Sequence, residues 1–182
     1  MIVTDDQAIA ERARKLRSQA DEPGAERRFW HREPGYNYRM TNLQAAVGVA
    51  QLERLNEFVA RHRRTANRYE VGLEGISGLV LQGEEAWAKN VYWMYSVLVD
   101  ADSGTTRDDV AGHLRSQGID SRPFFVPIHR QPAYESDYES QSYPVAERIA
   151  ETGLNLPSGN ELDEEDIARV TAAVREAMTS AK

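Results

Sequence analysis

The spacing of apolar residues changes along the chain, and each change predicts an element. Met1 to Thr4 (MIVT) reads as the end of a buried strand. Asp5 and Asp6 are placed to cap a helix in which Ile9, Ala13 and Leu16 form one apolar stripe. Asp21 to Pro34 is polar, with two prolines and a glycine, and reads as a loop. Thr41 then starts a long helix. Leu52, Leu55 and Val59 share one face, and the pattern runs to about Leu73, with Gly72, Gly75 and Gly78 at its end. Val91 to Val99 (VYWMYSVLV) is aromatic and β-branched, a buried strand with Trp93 and Tyr95 alternating with Tyr92 and Met94 in a core on two faces.

The second half repeats this grammar with shorter pieces. Arg107 to Gln117 is a short helix with Val110 and Leu114 inward, and Gly118 is placed to stop it in a left-handed conformation. Ser121 to Phe125 returns as a strand, and Tyr143 to Thr152 is another short helix. Asp163 caps the last helix with Asp166 three residues on, and Ile167, Val170, Val174 and Met178 form its inner face. Mixed strands and helices predict a small α/β sandwich with a largely antiparallel sheet. One strand and one helix cannot make a core, so residues 1–40 read as the tail of a larger domain. Residues 41–182 read as the long helix and a small C-terminal domain.

Composition narrows the function classes. At 182 residues the chain is one domain, or one and part of another, and 41% hydrophobic residues are enough for a core. A net charge of -7 disfavours nucleic acid as a partner, and the run Arg61 to Arg64 reads as the solvated face of a helix. With no cysteine there are no disulfides and no thiolate metal sites, and the four histidines lie too far apart in sequence for a paired-histidine motif. No apolar run reaches the roughly 18 residues of a membrane span. Met1 to Thr4 runs straight into charge, unlike a signal peptide, so a cytoplasmic location is expected.

Two blocks carry the candidate chemistry. Gly35 to Ala46 (GYNYRMTNLQAA) offers the Asn37 amide and the planar donor fork of Arg39, just ahead of Thr41 and Asn42. A helix start of this kind turns backbone N–H groups toward an anion. The same residues also suit a purely structural helix start. Gly118 to Tyr134 (GIDSRPFFVPIHRQPAY) places Arg122 near a strand end and His129 after Pro127 in a stiff, non-helical segment. His129, Gln131 and Tyr134 can hydrogen-bond sugar hydroxyls or a nucleotide; a surface loop with a structural arginine is the alternative. No glycine-rich phosphate loop is present, which excludes the Rossmann and P-loop readings.

In this order and spacing the two blocks resemble the second half of the DegT/DnrJ/EryC1/StrS aminotransferases, the pyridoxal phosphate enzymes that place amino groups on nucleotide sugars. The resemblance runs from Met1 to about Met178. It implies the C-terminal part of a fold-type I transferase: a long linking helix and a small α/β domain with a mainly antiparallel sheet. It also implies pyridoxal phosphate, a nucleotide-linked keto sugar in polysaccharide biosynthesis, an amino donor such as glutamate, and an active site shared across a dimer. Asn37 matches the family asparagine that reaches the cofactor phosphate of the partner subunit, with Arg39 beside it. The segment of His129 and Tyr134 would line the substrate entrance. Arg122 would face either the donor carboxylate or a diphosphate. Trp30, with His31, resembles a loop that covers the cofactor or packs at the dimer contact. Asn90 departs from a histidine common in the family at that point.

The family chemistry also needs a Schiff-base lysine and an aspartate facing the pyridine nitrogen. A Schiff-base lysine must be desolvated to lose its proton. Lys15 on an amphipathic helix, Lys89 in a polar loop and Lys182 at the end do not suit that role. In relatives a strand like Met1 to Thr4 follows a Gly-Gly pair downstream of the lysine, so the lysine is expected ahead of Met1. The expectation is a chain inactive by itself, with no catalytic residue of its own: a fragment, an accessory subunit that completes a full-length homologue, or a non-enzymatic dimerisation module. Exposed apolar surface at Ile2 and Val3 would favour association or instability over a monomer.

Overall fold

Helix starts in this chain are built from short polar side chains that accept the first free N–H groups. In the computed structural model, which describes residues 2–21, 24, 27, 29–138 and 141–179, Asp6 Oδ1 accepts from the N–H of Ala8 (2.8 Å) and Ile9 (3.2 Å) and opens α1, Gln7–Arg17. Thr41 and Gln44 form a reciprocal capping box that opens α2, Asn42–Glu53. Met1 and Lys182 lie outside the described residues.

The backbone forms two compact units, Met1–Arg54 and Leu55–Lys182. In the first, α1 ends in a tight reversal, with Gln19 and Ala20 at φ 63° and 55°. Residues 36–38 run antiparallel to that reversal. Tyr36 N–H donates to Leu16 O (2.7 Å), Gln19 N–H to Tyr36 O (2.9 Å) and Tyr38 N–H to Arg17 O (3.0 Å). Glu33 pairs with Arg12 (2.5 Å) and Lys15 (2.9 Å), tying the intervening loop to α1. The expected strand at residues 1–4 is not formed: residues 2–4 pair with no strand among the described residues, and Ile2 and Val3 are exposed. A strand exists only with a neighbour to complete its ladder.

The long helix is interrupted at Arg54, whose N–H turns to Gln51 O and Leu52 O, and it resumes in the second unit as α3, Leu55–Leu73. Four antiparallel strands form the sheet in the order β1-β2-β4-β3: Leu79–Leu81, Tyr95–Val99, Arg122–Pro123 and Gly153–Leu156, β4 being the last. Helices α4 (Arg107–Ser116), α5 (Glu135–Tyr138), α6 (Pro144–Thr152) and α7 (Glu164–Thr179) complete the unit. The core joins Tyr69 and Leu73 of α3, Val97 and Val99 of β2, Val110 and Leu114 of α4, Leu154 and Leu156 of β4, and Ile167, Val170 and Val174 of α7. As expected, α7 buries Ile167, Val170, Val174 and Met178, and Gly118 takes φ +71° just beyond α4.

Three expectations change. The strand read as Val91–Val99 begins only at Tyr95. Asn90 Oδ1 accepts from Tyr92 N–H (2.9 Å), and Tyr92 adopts φ 47°, which breaks the extended run before pairing can start. Trp93 is therefore on the surface, 67% exposed, instead of in the core. The strand read over residues 121–125 shrinks to Arg122–Pro123: Phe124 N–H still donates to Gly153 O (3.1 Å), but the Gly153 N–H closes the preceding helix on Ile149 O, so the return bond that would extend the ladder is missing. Strand β4, which the apolar pattern did not single out, is buried at all four positions in the middle of the sheet.

Candidate functional site

The GYNYR segment of the first unit is shaped by one close approach. A Cβ on Gly35 would lie 2.2 Å from Ala20 N and from Gln19 C, so only glycine lets residues 36–38 seat against the end of α1. Tyr36 and Tyr38 then stack at 5.1 Å and 9° on one side of the extended segment. Alternation places Asn37 and Arg39 on the other side. Both side chains are exposed, and neither has a partner among the described residues. Thr41 Oγ1 accepts from Gln44 N–H (3.3 Å), which leaves the first-turn N–H groups of Asn42 and Leu43 without intrahelical partners. One uncommitted amide, one uncommitted guanidinium and free N–H groups therefore follow one another within seven residues. That donor set suits a phosphate. Trp30 is exposed in the same unit, with the Arg27 guanidinium 5.8 Å from its ring centre.

In the second unit Arg122 is held by its backbone. Asn155, buried on β4, accepts from Ser96 Oγ (2.8 Å) and donates from Nδ2 to Arg122 O (3.2 Å). The Arg122 guanidinium itself is without a partner among the described residues. It lines a cleft of about 380 Å³ with His62, Trp93, Asp120, Ser158 and Asn160. The rim of that cleft is fixed: Tyr69 Oη donates to Pro157 O (2.8 Å), Ser158 Oγ accepts from Tyr95 N–H (2.8 Å), and Arg61 donates to Asn160 O (3.3 Å).

His129 belongs to a different cluster. Its Nε2 lies 2.8 Å from Glu147 Oε1 on α6, and its ring rests 4.7 Å from that of Tyr143. Arg130 reaches the other carboxylate oxygen at 3.2 Å, and Tyr143 N–H donates to Oε1 at 3.3 Å. The bond from His129, then the Tyr143 amide and Arg130, hold the Glu147 carboxyl down to about 2. Beside it lies an apolar cleft of about 380 Å³ lined by Pro123, Phe124, Val126, Pro127, Arg130 and Glu147. Tyr134 is half-exposed on the following turn, its N–H bonded to Gln131 O (2.8 Å).

Comparison with known proteins decides the family. Residues 1–175 match the DegT/DnrJ/EryC1/StrS aminotransferase family. The chain belongs to that family. It is 42% identical over 175 residues to GDP-perosamine synthase of Caulobacter vibrioides, covering 96% of this chain and 46% of that protein. Among solved structures, the aminotransferase TlmJ from Streptoalloteichus hindustanus superposes with a TM-score of 0.85 at 34% identity, covering 97% of this chain and 46% of TlmJ. DesV of S. venezuelae gives 0.84 at 32%, again over 97% and 46%. The chain thus spans about half the length of the relatives it matches. Its fold is that of the C-terminal part of these fold-type I transferases, with linking helix and small α/β domain. No helix among the described residues is long and apolar enough to cross a membrane.

Within this DegT/DnrJ/EryC1/StrS fold, the residues singled out by sequence fall into three groups. Asn37 and Arg39 share a face of the first unit, where Trp30 also lies. Arg122 lines the polar cleft of the second unit. His129 is tied to Glu147, with Tyr134 on the next turn. Of the lysines, Lys15 is committed to Glu33, whose carboxyl is held at about 2 by Arg12 first and then Lys15, and Lys89 is exposed. Lys182 lies outside the described residues. The basic run serves the fold: Arg61 pairs with Glu57 (2.8 Å), and Arg63 pairs with Glu84 (2.7 Å) and donates to Asn90 O (2.5 Å). Sequence reasoning missed Glu147 and His62. His62 stood inside a charged run, and Glu147 meets His129 across 18 positions with no periodic signal.

Proposed function

We propose that this chain furnishes the phosphate-binding rim and the substrate-facing loop of a pyridoxal phosphate-dependent aminotransferase acting on a nucleotide-linked keto sugar. Residues 1–40 act as part of the cofactor-binding domain and residues 41–182 as linking helix and small domain. The observation that carries this reading is the pair Asn37 and Arg39: two uncommitted donors on one face, ahead of free helix N–H groups, in a family of aminotransferases. When bound, the cofactor supplies the electron sink through which an amino group moves from an amino acid to a keto carbon.

The chain's own residues bind and orient. Asn37 donates its amide N–H to a phosphate oxygen of the cofactor held by a second subunit, and Arg39 adds charge beside it. Arg122 holds an anionic end of a substrate, either the carboxylate of a donor such as glutamate or a nucleotide diphosphate. His129 and Tyr134 contact sugar hydroxyls, and Trp30 would cover the cofactor or pack at the dimer contact. The reactive amine that the cofactor would need is supplied by other polypeptide, since Lys15 is committed to Glu33 and Lys89 is exposed.

The test is a pyridoxal phosphate titration of the chain, alone and mixed with a lysine-bearing homologue, followed by borohydride reduction and peptide mapping. Cofactor retention only in the mixture, weakened by Asn37→Ala, supports the reading. A label on Lys15 or Lys89 overturns it. A second reading, a dimerisation module without cofactor, is favoured by α2, where Leu43, Val47, Val49 and Leu52 are all exposed. Association without cofactor retention under any condition would select it.

A further inference from the structure

Three donors converge on one carboxylate at Glu147: the His129 ring, the Arg130 guanidinium and the Tyr143 N–H. An ionised carboxylate only accepts hydrogen bonds. The atom of His129 that faces it, Nε2, must therefore carry a proton whatever the charge of the ring. In the neutral ring the other nitrogen, Nδ1, is then a bare acceptor. Nδ1 has no partner among the described residues, and the imidazole is otherwise confined, with the side chain 9% exposed and the Tyr143 ring tilted 49° against it.

We infer that Glu147 is a positioning residue that sets the tautomer of His129, so that Nδ1 accepts a hydrogen bond from a sugar hydroxyl. This rests on the proposed reading of the His129 segment as substrate-facing. It assigns unlike tasks to the two halves of the RPFFVPIH stretch. A neutral Nδ1 lone pair repels the oxygens of a carboxylate or phosphate and takes an O–H donor. Arg122, with five N–H donors and no acceptor, does the reverse. Tyr143 reinforces the arrangement from two sides, by its N–H on the carboxylate and its ring on the imidazole.

The decisive measurement is long-range ¹H–¹⁵N correlation NMR of the full chain, at a pH high enough that the His129 signals have stopped titrating. The expected result is a single Nε2–H tautomer in the wild type and in Glu147→Asp. Glu147→Gln, whose amide both donates and accepts, should show the two tautomers in exchange, with unchanged far-UV circular dichroism. A GDP-linked hexose, added to millimolar concentration, should then shift Nδ1. It should bind Glu147→Gln roughly fivefold more weakly, the loss of about one neutral hydrogen bond. A wild-type ring protonated on Nδ1 overturns the positioning role of Glu147. A wild-type ring protonated on Nε2, with Nδ1 unmoved by the sugar nucleotide, overturns the hydroxyl contact and with it the substrate reading of this loop.

Discussion

Tyr69 and Tyr95 lie ring against ring in the core, 5.0 Å apart and 25° from parallel, yet their hydroxyls have opposite fates. Tyr69 Oη donates to Pro157 O at 2.8 Å, whereas Tyr95 Oη is buried with no partner among the described residues. Desolvation raises both phenols, that of Tyr95 to about 12. Removing a buried, unpaired hydroxyl relieves a penalty of about 1–3 kcal/mol, less the contacts the oxygen makes. Tyr95→Phe keeps the ring and the stack, so the chain should become more stable by about 1 kcal/mol. Tyr69→Phe removes a donor and leaves the Pro157 carbonyl unsatisfied, so it should lose about 1–2 kcal/mol. The two substitutions differ by one oxygen each and should move stability in opposite directions, by a few degrees in Tm. Urea unfolding of the full chain, followed by far-UV circular dichroism, reads both, and equal m-values would confirm that the unfolded state is unchanged. A destabilised Tyr95→Phe refutes the reasoning, since it means the hydroxyl was satisfied after all. Tyr69→Phe should carry a further signature: the backbone around Ser158, at the rim of the Arg122 cleft, should exchange amide hydrogens faster.

Other substitutions test the remaining structure. Gly35→Ala places a methyl group 2.2 Å from backbone atoms, so the amides of Gln19, Tyr36 and Tyr38 should lose hydrogen-exchange protection while the second unit is unaffected. Leu154→Ala, at a fully buried position of the central strand β4, should destabilise by about 2–5 kcal/mol in denaturant unfolding. Glu147 has its carboxyl lowered from 4.5 to about 2, so its contribution to stability is complete above pH 4.5 and is lost as pH falls through about 2. Thermal melts between pH 2 and 6 should therefore show a shallower acid slope for Glu147→Gln than for the wild type.

What could be read from the sequence divides along a physical line. Helices α4 and α7 were legible because their signals are local: apolar residues at three- and four-residue steps in both, a stopping glycine just beyond α4, and in α7 a capping side chain three residues from its target. Strand β4 was not, because a short strand buried on both faces has no alternation to display, and its placement depends on β2 and β3, which are distant in sequence. The early part of the predicted β2 failed for a local reason of another kind. The Asn90 side chain captures the Tyr92 N–H, and no hydrophobic pattern records that competition.

The site follows the same division. The donors of the GYNYR segment were legible as residue types just ahead of a helix start, whereas their common face follows only from the extended backbone that pairs with the end of α1. His129 was visible as a residue type but not as a contact. Nothing in the spacing picks Glu147 from 29 acidic residues as its partner, and the choice is made only when α6 docks beside the turn at Ile128–Arg130. Gly35 stands between the two cases. Its place in the motif was legible, but its cause, contact with the backbone of Gln19 and Ala20, is a tertiary fact. A motif can therefore announce which atoms are offered to a ligand while the contacts that aim those atoms are carried by residues the motif does not contain. On the proposed reading the offered atoms are the Asn37 amide, the Arg39 and Arg122 guanidinium groups and His129 Nδ1, and the residues that aim them are Gln19, Ala20, Asn155 and Glu147.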